Sequence, residues 1–198
     1  MHKLFYGAAS PYSAKVRMAA AHAEIEIEAV TVDTNNPGGD FLEANPLGKV
    51  PTLLTDDGTA IYDSRAITQY LNRVSGKRLL PRNAAKRTEA EVLEALADGL
   101  CDCLLAHVYE RRSRPPELVH QPWLDKQWSK AERSLDQINA APPKLRKRAT
   151  VGDIALRAAL AYLELRFAGK WQKGRGRVTR WADRFDRRFP ELTAYLPS

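Results

Sequence analysis

The chain has 198 residues, enough for one large domain or two small ones with a real hydrophobic core. Its 44% hydrophobic and 28% charged residues are ordinary globular values, which argue against collagen-like, disordered and membrane-spanning chains. The formal net charge is +7, but residues 1–80 hold 8 basic and 9 acidic side chains, whereas residues 144–188 hold 14 and 4. Any function that depends on electrostatics should therefore be sought first in residues 144–188.

Strand-like and helix-like patterns alternate through the first 80 residues. A short apolar run at 3–6, a helical spacing at 11–22 and an alternating stretch at 27–32 form a β-α-β unit with parallel strands. Two further apolar runs flank the turn at 56–58, and a helix with one apolar face follows at 67–74. This order predicts an α/β thioredoxin-like N-terminal domain at residues 1–80.

Helical periodicity dominates the remainder, after a predicted linker at 75–85. The predicted helices are listed by range: about 85–112, about 122–139, one from Thr150, and about 177–188. We place Val92 on the apolar stripe of the first helix, Asp98 on its solvated face, and expect a close approach at Gly99. Thr150 opens a capping box before a buried helix, and Trp181 is predicted to be in the core. The sequence therefore predicts an all-α helical bundle as C-terminal domain, residues 81–198.

The two cysteines, Cys101 and Cys103, are two positions apart in a predicted helix, so their side chains diverge and cannot pair within it. No disulfide framework is implied, and a reducing compartment is the simplest setting. The four histidines show no metal-binding spacing, so no metal is expected. Without an 18-residue apolar stretch or a signal-peptide pattern, we expect a cytoplasmic protein with no membrane contact.

Three short motifs carry the candidate chemistry. Ser10-Pro11-Tyr12-Ser13 lies between the first strand and the first helix, where Ser10 suits an N-cap and its hydroxyl could also donate to a bound thiolate. The stretch 45–53 begins Asn-Pro-Leu-Gly, a turn before a strand. Tyr62-Asp63-Ser64 opens a helix, with Asp63 as its N-cap.

With these motifs the sequence resembles the glutathione transferases over nearly its whole length. Ser-Pro-Tyr followed by Lys-Val-Arg is similar to bacterial-like serine-type members of the cytosolic family, in which this serine stabilises the glutathione thiolate. The resemblance therefore implies this role for Ser10, with Ser13 and Tyr6 as weaker alternatives. Glutaredoxins share the fold and carry Cys-Pro-Tyr-Cys at this site, and the two serines here remove dithiol exchange.

The resemblance also implies which residues bind the tripeptide. Val50, before an expected cis-proline at Pro51, would hydrogen-bond the cysteinyl part, and Lys49 would reach the glycine carboxylate. Asp63 and Ser64 would bind the γ-glutamyl end at a helix N-terminus.

A small hydrophobic electrophile would lie against the first long helix of the C-terminal domain. Its candidate walls are Tyr12, Tyr109 and Arg112. The implied protein is a homodimer with glutathione as its co-substrate.

The expected function is conjugation of the glutathione thiolate to hydrophobic electrophiles. A non-catalytic binding or regulatory module of the same fold is an alternative. A glutathione-dependent peroxidase is a further alternative, disfavoured because positions 10 and 13 hold no cysteine. The basic run at 173–177 follows no strand and is not a phosphate loop of the usual kinds, so a nucleic-acid partner is not expected.

Overall fold

The computed structural model describes residues 1–76 and 78–198. Lys77, inside the predicted linker, lies outside the described residues. The strands are β1 (His2–Tyr6), β2 (Ile27–Thr31), β3 (Thr52–Leu54) and β4 (Ala60–Ile61). The first three helices are α1 (Pro11–His22), α2 (Gly39–Ala44) and α3 (Ser64–Val74).

The four strands form one sheet in the order β2-β1-β3-β4. Strand β1 is parallel to β2 and antiparallel to β3, and β4 is antiparallel to β3. The register pairs Phe5 with Thr52 and Leu53 with Ile61. The carboxyl ends of β1 and β4 and the amino end of β3 therefore lie at the same end of the sheet. This thioredoxin-like arrangement confirms the predicted fold class.

The chain after residue 80 is helical, as predicted. Its helices are α4 (Ala84–Ser113), α5 (Gln121–Ala140), α6 (Val151–Phe167) and α7 (Gly176–Arg188), with 3₁₀ turns at Pro116–Leu118 and Pro190–Tyr195. Helix α6 packs against both α1 and α4 and is buried along most of its length. The predicted capping box is confirmed, because Thr150 Oγ1 accepts from Asp153 N while Asp153 Oδ2 accepts from Thr150 N. Trp181 is buried in the core, as expected.

The connection between α3 and α4 is only partly a linker. Leu79 and Leu80 are buried, and both of their backbone N–H groups donate to Asn72 Oδ1 at 3.1 and 3.0 Å. The carbonyl of Leu79 also accepts from Val151 N at 2.9 Å. These two leucines therefore belong to the core that joins the sheet region to α6. The division at residues 80 and 81 stays a prediction.

Three expectations about α4 are wrong. Val92 is 61% exposed, because the buried side of α4 carries Ala90, Glu94, Ala97, Cys101 and Leu104. Asp98 is only 6% exposed rather than solvated, because it lies in a buried ion cluster. No heavy atom lies within 4 Å of a Cβ built on Gly99, so nothing in the described chain approaches it closely.

The close approach in this region occurs at Gly152 instead. A Cβ on Gly152 would lie 2.5 Å from the Ala90 carbonyl oxygen and 2.9 Å from Leu93 Cβ. The first turn of α6 therefore packs directly on the backbone of α4, and only glycine fits there.

Both cysteines are free thiols. Burial raises the pKa of the Cys101 thiol well above its usual value. None of the helices in the described part of the chain is long and apolar enough to cross a membrane. Among the same residues, no group of three or more His, Cys, Asp or Glu side chains could hold a metal ion.

Candidate functional site

Three segments meet at the end of the sheet where β1 and β4 finish and β3 begins. They are the loop from Gly7 to Ser10, the residues Val50 and Pro51, and the first turn of α3. A Cβ on Gly7 would lie 3.3 Å from Val50 Cγ2 and 3.8 Å from Ser10 Cβ, so a glycine lets the loop pack against Val50. The antiparallel register of β1 and β3 thus places the Ser10 loop beside the Val50–Pro51 peptide.

Ser10 is the N-cap of α1. Its Oγ accepts from Ser13 N at 3.2 Å, and its own backbone N donates to Gly7 O at 3.0 Å. The side chain is half-buried, and within the described chain the hydroxyl proton has no acceptor. Ser10 can therefore donate to an anionic ligand at a helix N-terminus, where the helix dipole also favours negative charge.

The two alternatives to Ser10 are engaged in packing. Ser13 is fully buried, and its Oγ accepts from Gly7 N at 3.2 Å. Tyr6 has the guanidinium of Arg17 stacked 4.5 Å from its ring centroid. Ser13 therefore shapes the loop, while Tyr6 lies in a stacked pair on the strand.

A buried asparagine holds the turn that leads into β3. Asn45 Nδ2 donates to Lys49 O and to Thr52 Oγ1, both at 2.9 Å, and its Oδ1 accepts from Leu47 N at 3.0 Å. Gly48 sits in this turn at φ +60°, a left-handed conformation that glycine adopts at little cost. The structuring role of Asn45 was not predicted, although Asn before Pro in a turn is a signal for it.

Several polar groups of this turn have no partner within the described chain. The Val50–Pro51 peptide is cis, as the resemblance implied. The backbone N–H and C=O of Val50 make no hydrogen bond within the described chain, and Lys49 is exposed with no carboxylate within 4 Å there. These groups are available to an extended peptide and to an anion.

The first turn of α3 forms the third side of the candidate site. Asp63 caps the helix, its Oδ1 accepting from Arg65 N at 3.0 Å. Ser64 is nearly buried, and its hydroxyl has no hydrogen-bond partner in the part of the chain that is described. The helix N-terminus, the Ser64 hydroxyl and the exposed Asp63 carboxylate can together bind a carboxylate next to an ammonium group.

A buried ion cluster lies behind these segments and was missed at the sequence level. It consists of Lys15, Arg65, Glu94 and Asp98. Lys15 is only 1% exposed, and its Nζ lies 2.8 Å from Asp98 Oδ2 and 3.2 Å from Glu94 Oε1. Arg65 Nε lies 2.8 Å from the same Asp98 oxygen, and this contact raises the pKa of Arg65. Two cations balance two anions, so the cluster that joins α1, α3 and α4 is neutral as a whole, with the Arg65 side chain half-exposed to solvent.

A signal for this cluster exists in the sequence. Glu94 and Asp98 are four residues apart, which places both carboxylates on one side of α4. Lys15 sits within the apolar repeat of α1. Carboxylates on a buried helix face require a cation, and nothing local shows which cation supplies it.

The three residues predicted to line the electrophile site do not lie at one place. The Tyr12 hydroxyl donates to Asp102 on α4, and burial, with Cys101 and Asp102 nearby, raises the pKa of Tyr12. Tyr109 and Arg112 pair with each other instead, with 5.5 Å from the guanidinium to the ring centroid. Along the helix, Tyr109 lies about 10 Å and Arg112 about 15 Å beyond Asp102, two to three turns away. Tyr12 therefore faces α4 near Ser10, while Tyr109 and Arg112 lie farther along that helix.

Comparisons with known proteins point to one family. The family model for the glutathione S-transferase N-terminal domain matches residues 9–74. The uncharacterized GST-like protein YibF of Escherichia coli K12 is 32% identical over 168 residues, covering 83% of each chain.

Two solved structures extend the likeness to the C-terminal helices. A glutathione S-transferase from Methylobacillus flagellatus KT with GSH bound is 32% identical, covers 100% of both chains and has a TM-score of 0.92. A glutathione S-transferase from Methylobacterium radiotolerans JCM 2831, in complex with glutathione sulfonate, is 31% identical with a TM-score of 0.90. That match covers 99% of this chain and 94% of the other.

Proposed function

Because this chain belongs to the glutathione S-transferase family, we propose that it binds glutathione at this end of the sheet and conjugates it to hydrophobic electrophiles. The observation that carries the proposal is the Ser10 hydroxyl, which accepts a capping hydrogen bond but has no acceptor for its proton in the described chain. The glutathione sulfur is the acceptor that this geometry suits.

The tripeptide would extend between the two helix N-termini. Its γ-glutamyl end meets Asp63 and Ser64 at α3, the cysteinyl part pairs with the free backbone groups of Val50 beside Pro51, and the glycine carboxylate reaches Lys49. The cysteine sulfur then lies toward the Ser10 loop, since Gly7 packs on Val50. This set of contacts accounts for the two carboxylates, the ammonium and the peptide of glutathione.

Ser10 lowers the pKa of the bound thiol by donating to its thiolate form. A hydrogen bond to a charged acceptor is worth about 1.5–3 kcal/mol. One pKa unit corresponds to about 1.4 kcal/mol, so one or two units of acidification follow. More of the bound glutathione is then thiolate at neutral pH, and the site orients it toward an electrophile beside Tyr12.

Replacing Ser10 tests the proposal. Ser10→Ala should lower kcat for an aryl halide about ten-fold or more, and the thiolate absorbance of bound glutathione should appear at higher pH. Ser10→Asp should lose activity as well, because aspartate keeps the N-cap acceptor but has no proton to donate. Helix capping and thiolate stabilisation are thereby separated.

Ser129→Ala is the matched control, since Ser129 is an exposed serine on α5. Normal kcat and an unshifted thiolate titration in both Ser10 variants would exclude Ser10 as the stabilising group. Retention on immobilised glutathione without conjugation would instead support the non-catalytic binding module. No retention at all would show that the protein does not bind glutathione and would contradict the proposal.

The same proposal includes a homodimer in the cytoplasm that uses glutathione as co-substrate and no metal. Helix α4 exposes Val92 and the neighbouring Ala95 on a face that no other part of the described chain covers. Tyr62, beside the first turn of α3, is also exposed. A second copy covering this apolar surface is the assembly that the family relationship suggests.

A further inference from the structure

The positive charge of residues 144–188 is concentrated around one groove. The groove has a volume of about 640 Å³ and lies between the α5–α6 connection and the second half of α7. Its lining residues are Pro142, Pro143, Lys144, Leu145, Arg184, Arg187 and Arg188. Four of the seven are cations and none is an acid, so the groove is basic along both rims.

The cations of the groove are not neutralised. Lys144, Arg184, Arg187 and Arg188 have no carboxylate within 4 Å in the described part of the chain. Asp183, exposed beside Arg184, does not line the groove. The neighbouring Asp186 is already paired with the buried Arg157, at 2.7 Å. The rims therefore keep their full charge for a partner.

The groove is held in shape by hydrogen bonds between its two sides. Trp181 Nε1, in the core face of α7, donates to Pro143 O at 2.8 Å. Arg188 Nε donates to Arg146 O at 2.6 Å and ties the end of α7 to the connection. A partner would thus meet a preformed surface, which lowers the entropy cost of binding.

The floor and the rims differ in chemistry, and the difference selects the partner. Pro142, Pro143 and Leu145 are half-buried apolar residues, whereas the rims are Lys and Arg. An extended peptide that alternates apolar and acidic residues can turn its apolar side chains toward the two prolines and Leu145. Its acidic side chains then point outward, where the long and flexible Lys and Arg side chains of the rims can reach them. The arginine fork matches a carboxylate with two parallel hydrogen bonds.

A nucleic-acid duplex fits less well, because its phosphate backbone makes no use of an apolar floor. Among the described residues, none of the exposed large hydrophobic side chains falls within 141–150 or 176–188, so these segments carry no exposed apolar anchor for a membrane. We propose that this groove binds an extended segment of a partner protein with acidic and apolar residues in alternation.

The direct test is a binding measurement on the full chain. The probe is a fluorescein-labelled nonapeptide, Glu-Ala-Glu-Leu-Glu-Leu-Glu-Ala-Glu, followed by fluorescence anisotropy. Arg184→Gln together with Arg187→Gln should weaken binding about ten-fold or more, because two charged contacts are lost. Raising the salt from 0.1 to 1 M should also weaken it several-fold, because the Debye length falls from about 10 to 3 Å.

The matched control removes two cations elsewhere. Lys126→Gln with Arg133→Gln lowers the net charge equally on the exposed side of α5 and should leave peptide binding unchanged. Both double variants should keep wild-type glutathione conjugation, since none of these residues belongs to the glutathione site.

Three outcomes would overturn the inference. Equal loss of binding in both double variants would show attraction by net charge alone. If a nonaglutamate peptide binds as tightly as the alternating nonapeptide, the apolar floor does not contribute to binding. Tighter binding of a 20-base-pair DNA duplex, or of vesicles containing phosphatidylglycerol, would assign the face to a different class of partner.

Discussion

At the scale of single residues, neighbours decide what each side chain can do. Ser10 and Ser13 are both serines in the first turn of one helix. The Ser10 hydroxyl accepts a capping hydrogen bond and keeps its proton free to donate, whereas Ser13 is buried beneath the loop and its Oγ accepts from Gly7 N. The same holds for Asp98, whose carboxylate is buried because Lys15 and Arg65 reach it.

The buried ion cluster should contribute strongly to stability. Lys15→Met removes one cation and leaves Glu94 and Asp98 with only Arg65, so the free energy of unfolding should fall by about 3–5 kcal/mol. Urea unfolding followed by circular dichroism measures this loss. Lys15→Met combined with Glu94→Gln restores neutrality, so its loss should be smaller than the sum of the two single losses. Strict additivity would show that the two groups do not interact.

Two histidines should make the protein less stable in mild acid. Burial lowers the pKa of His22 and of His107, whose rings pack edge-on against Phe189 and Phe167. The unfolded chain, with a histidine pKa of about 6.5, therefore binds protons at a higher pH than the folded chain does. The contribution to stability is thus fully present above the unfolded pKa and is lost as the pH falls from there through the lower folded pKa.

Replacing His22 checks this sign. In His22→Gln the difference in free energy of unfolding between pH 7 and pH 5 should be smaller than in the wild type. His120→Gln, at an exposed position, is the control and should keep the wild-type difference. If the difference between pH 7 and pH 5 is larger in His22→Gln than in the wild type, the lowered pKa of His22 is contradicted.

At the scale of elements, the contact between α4 and α6 organises the helical half. Helix α6 begins with a capping box and at once packs on the α4 backbone, while Leu79 hydrogen-bonds its first residue from the other side. The amino end of α6 is therefore the point where the sheet region, the connection and the bundle meet.

Two helical glycines should respond to alanine in opposite directions. Gly152→Ala places a Cβ 2.5 Å from the Ala90 carbonyl, so the helices must shift and stability should fall by about 1–3 kcal/mol or more. Gly99→Ala, on α4 with open space around it, should gain up to about 1 kcal/mol from helix propensity. Thermal unfolding of both variants measures the contrast. Equal effects would contradict the packing assigned to Gly152.

At the scale of the whole molecule, the positive charge is concentrated in one part of the chain. The proposed glutathione site at the end of the sheet would depend on local groups such as Lys49 and two helix N-termini, since residues 1–80 are close to neutral. The surplus of positive charge lies on the opposite part of the chain, around α7. Exposed apolar side chains such as Val92 and Tyr62 occur elsewhere, on α4 and next to α3.

The proposed dimer should depend on the exposed face of α4. In a two-fold symmetric contact one substitution acts twice, so Val92→Glu buries two carboxylates and should shift the protein to monomer. Sedimentation velocity measures the shift. Leu118→Glu, an exposed apolar position on the 3₁₀ turn after α4, should leave the dimer intact. If the wild-type protein sediments as a monomer, the proposed homodimer is contradicted.

The sequence by itself determined the order of strands and long helices and the place of three helix caps. These features depend on neighbours within a few residues: the hairpin turn ending at Gly58, the proline after Ser10, and the box from Thr150 to Asp153. Such local signals also mark the three segments of the candidate site. Their meeting at one end of the sheet follows from the β-α-β and β-β-α order.

Only the tertiary structure decided which groups are buried together and which remain free. Lys15 and Asp98 are 83 residues apart, and no local pattern indicates their pairing. The same reason explains why Val92 is exposed, why Leu79 joins the core, and why Ser10 rather than Ser13 presents its hydroxyl. Burial depends on the elements that pack against a residue, and those elements are distant in the chain.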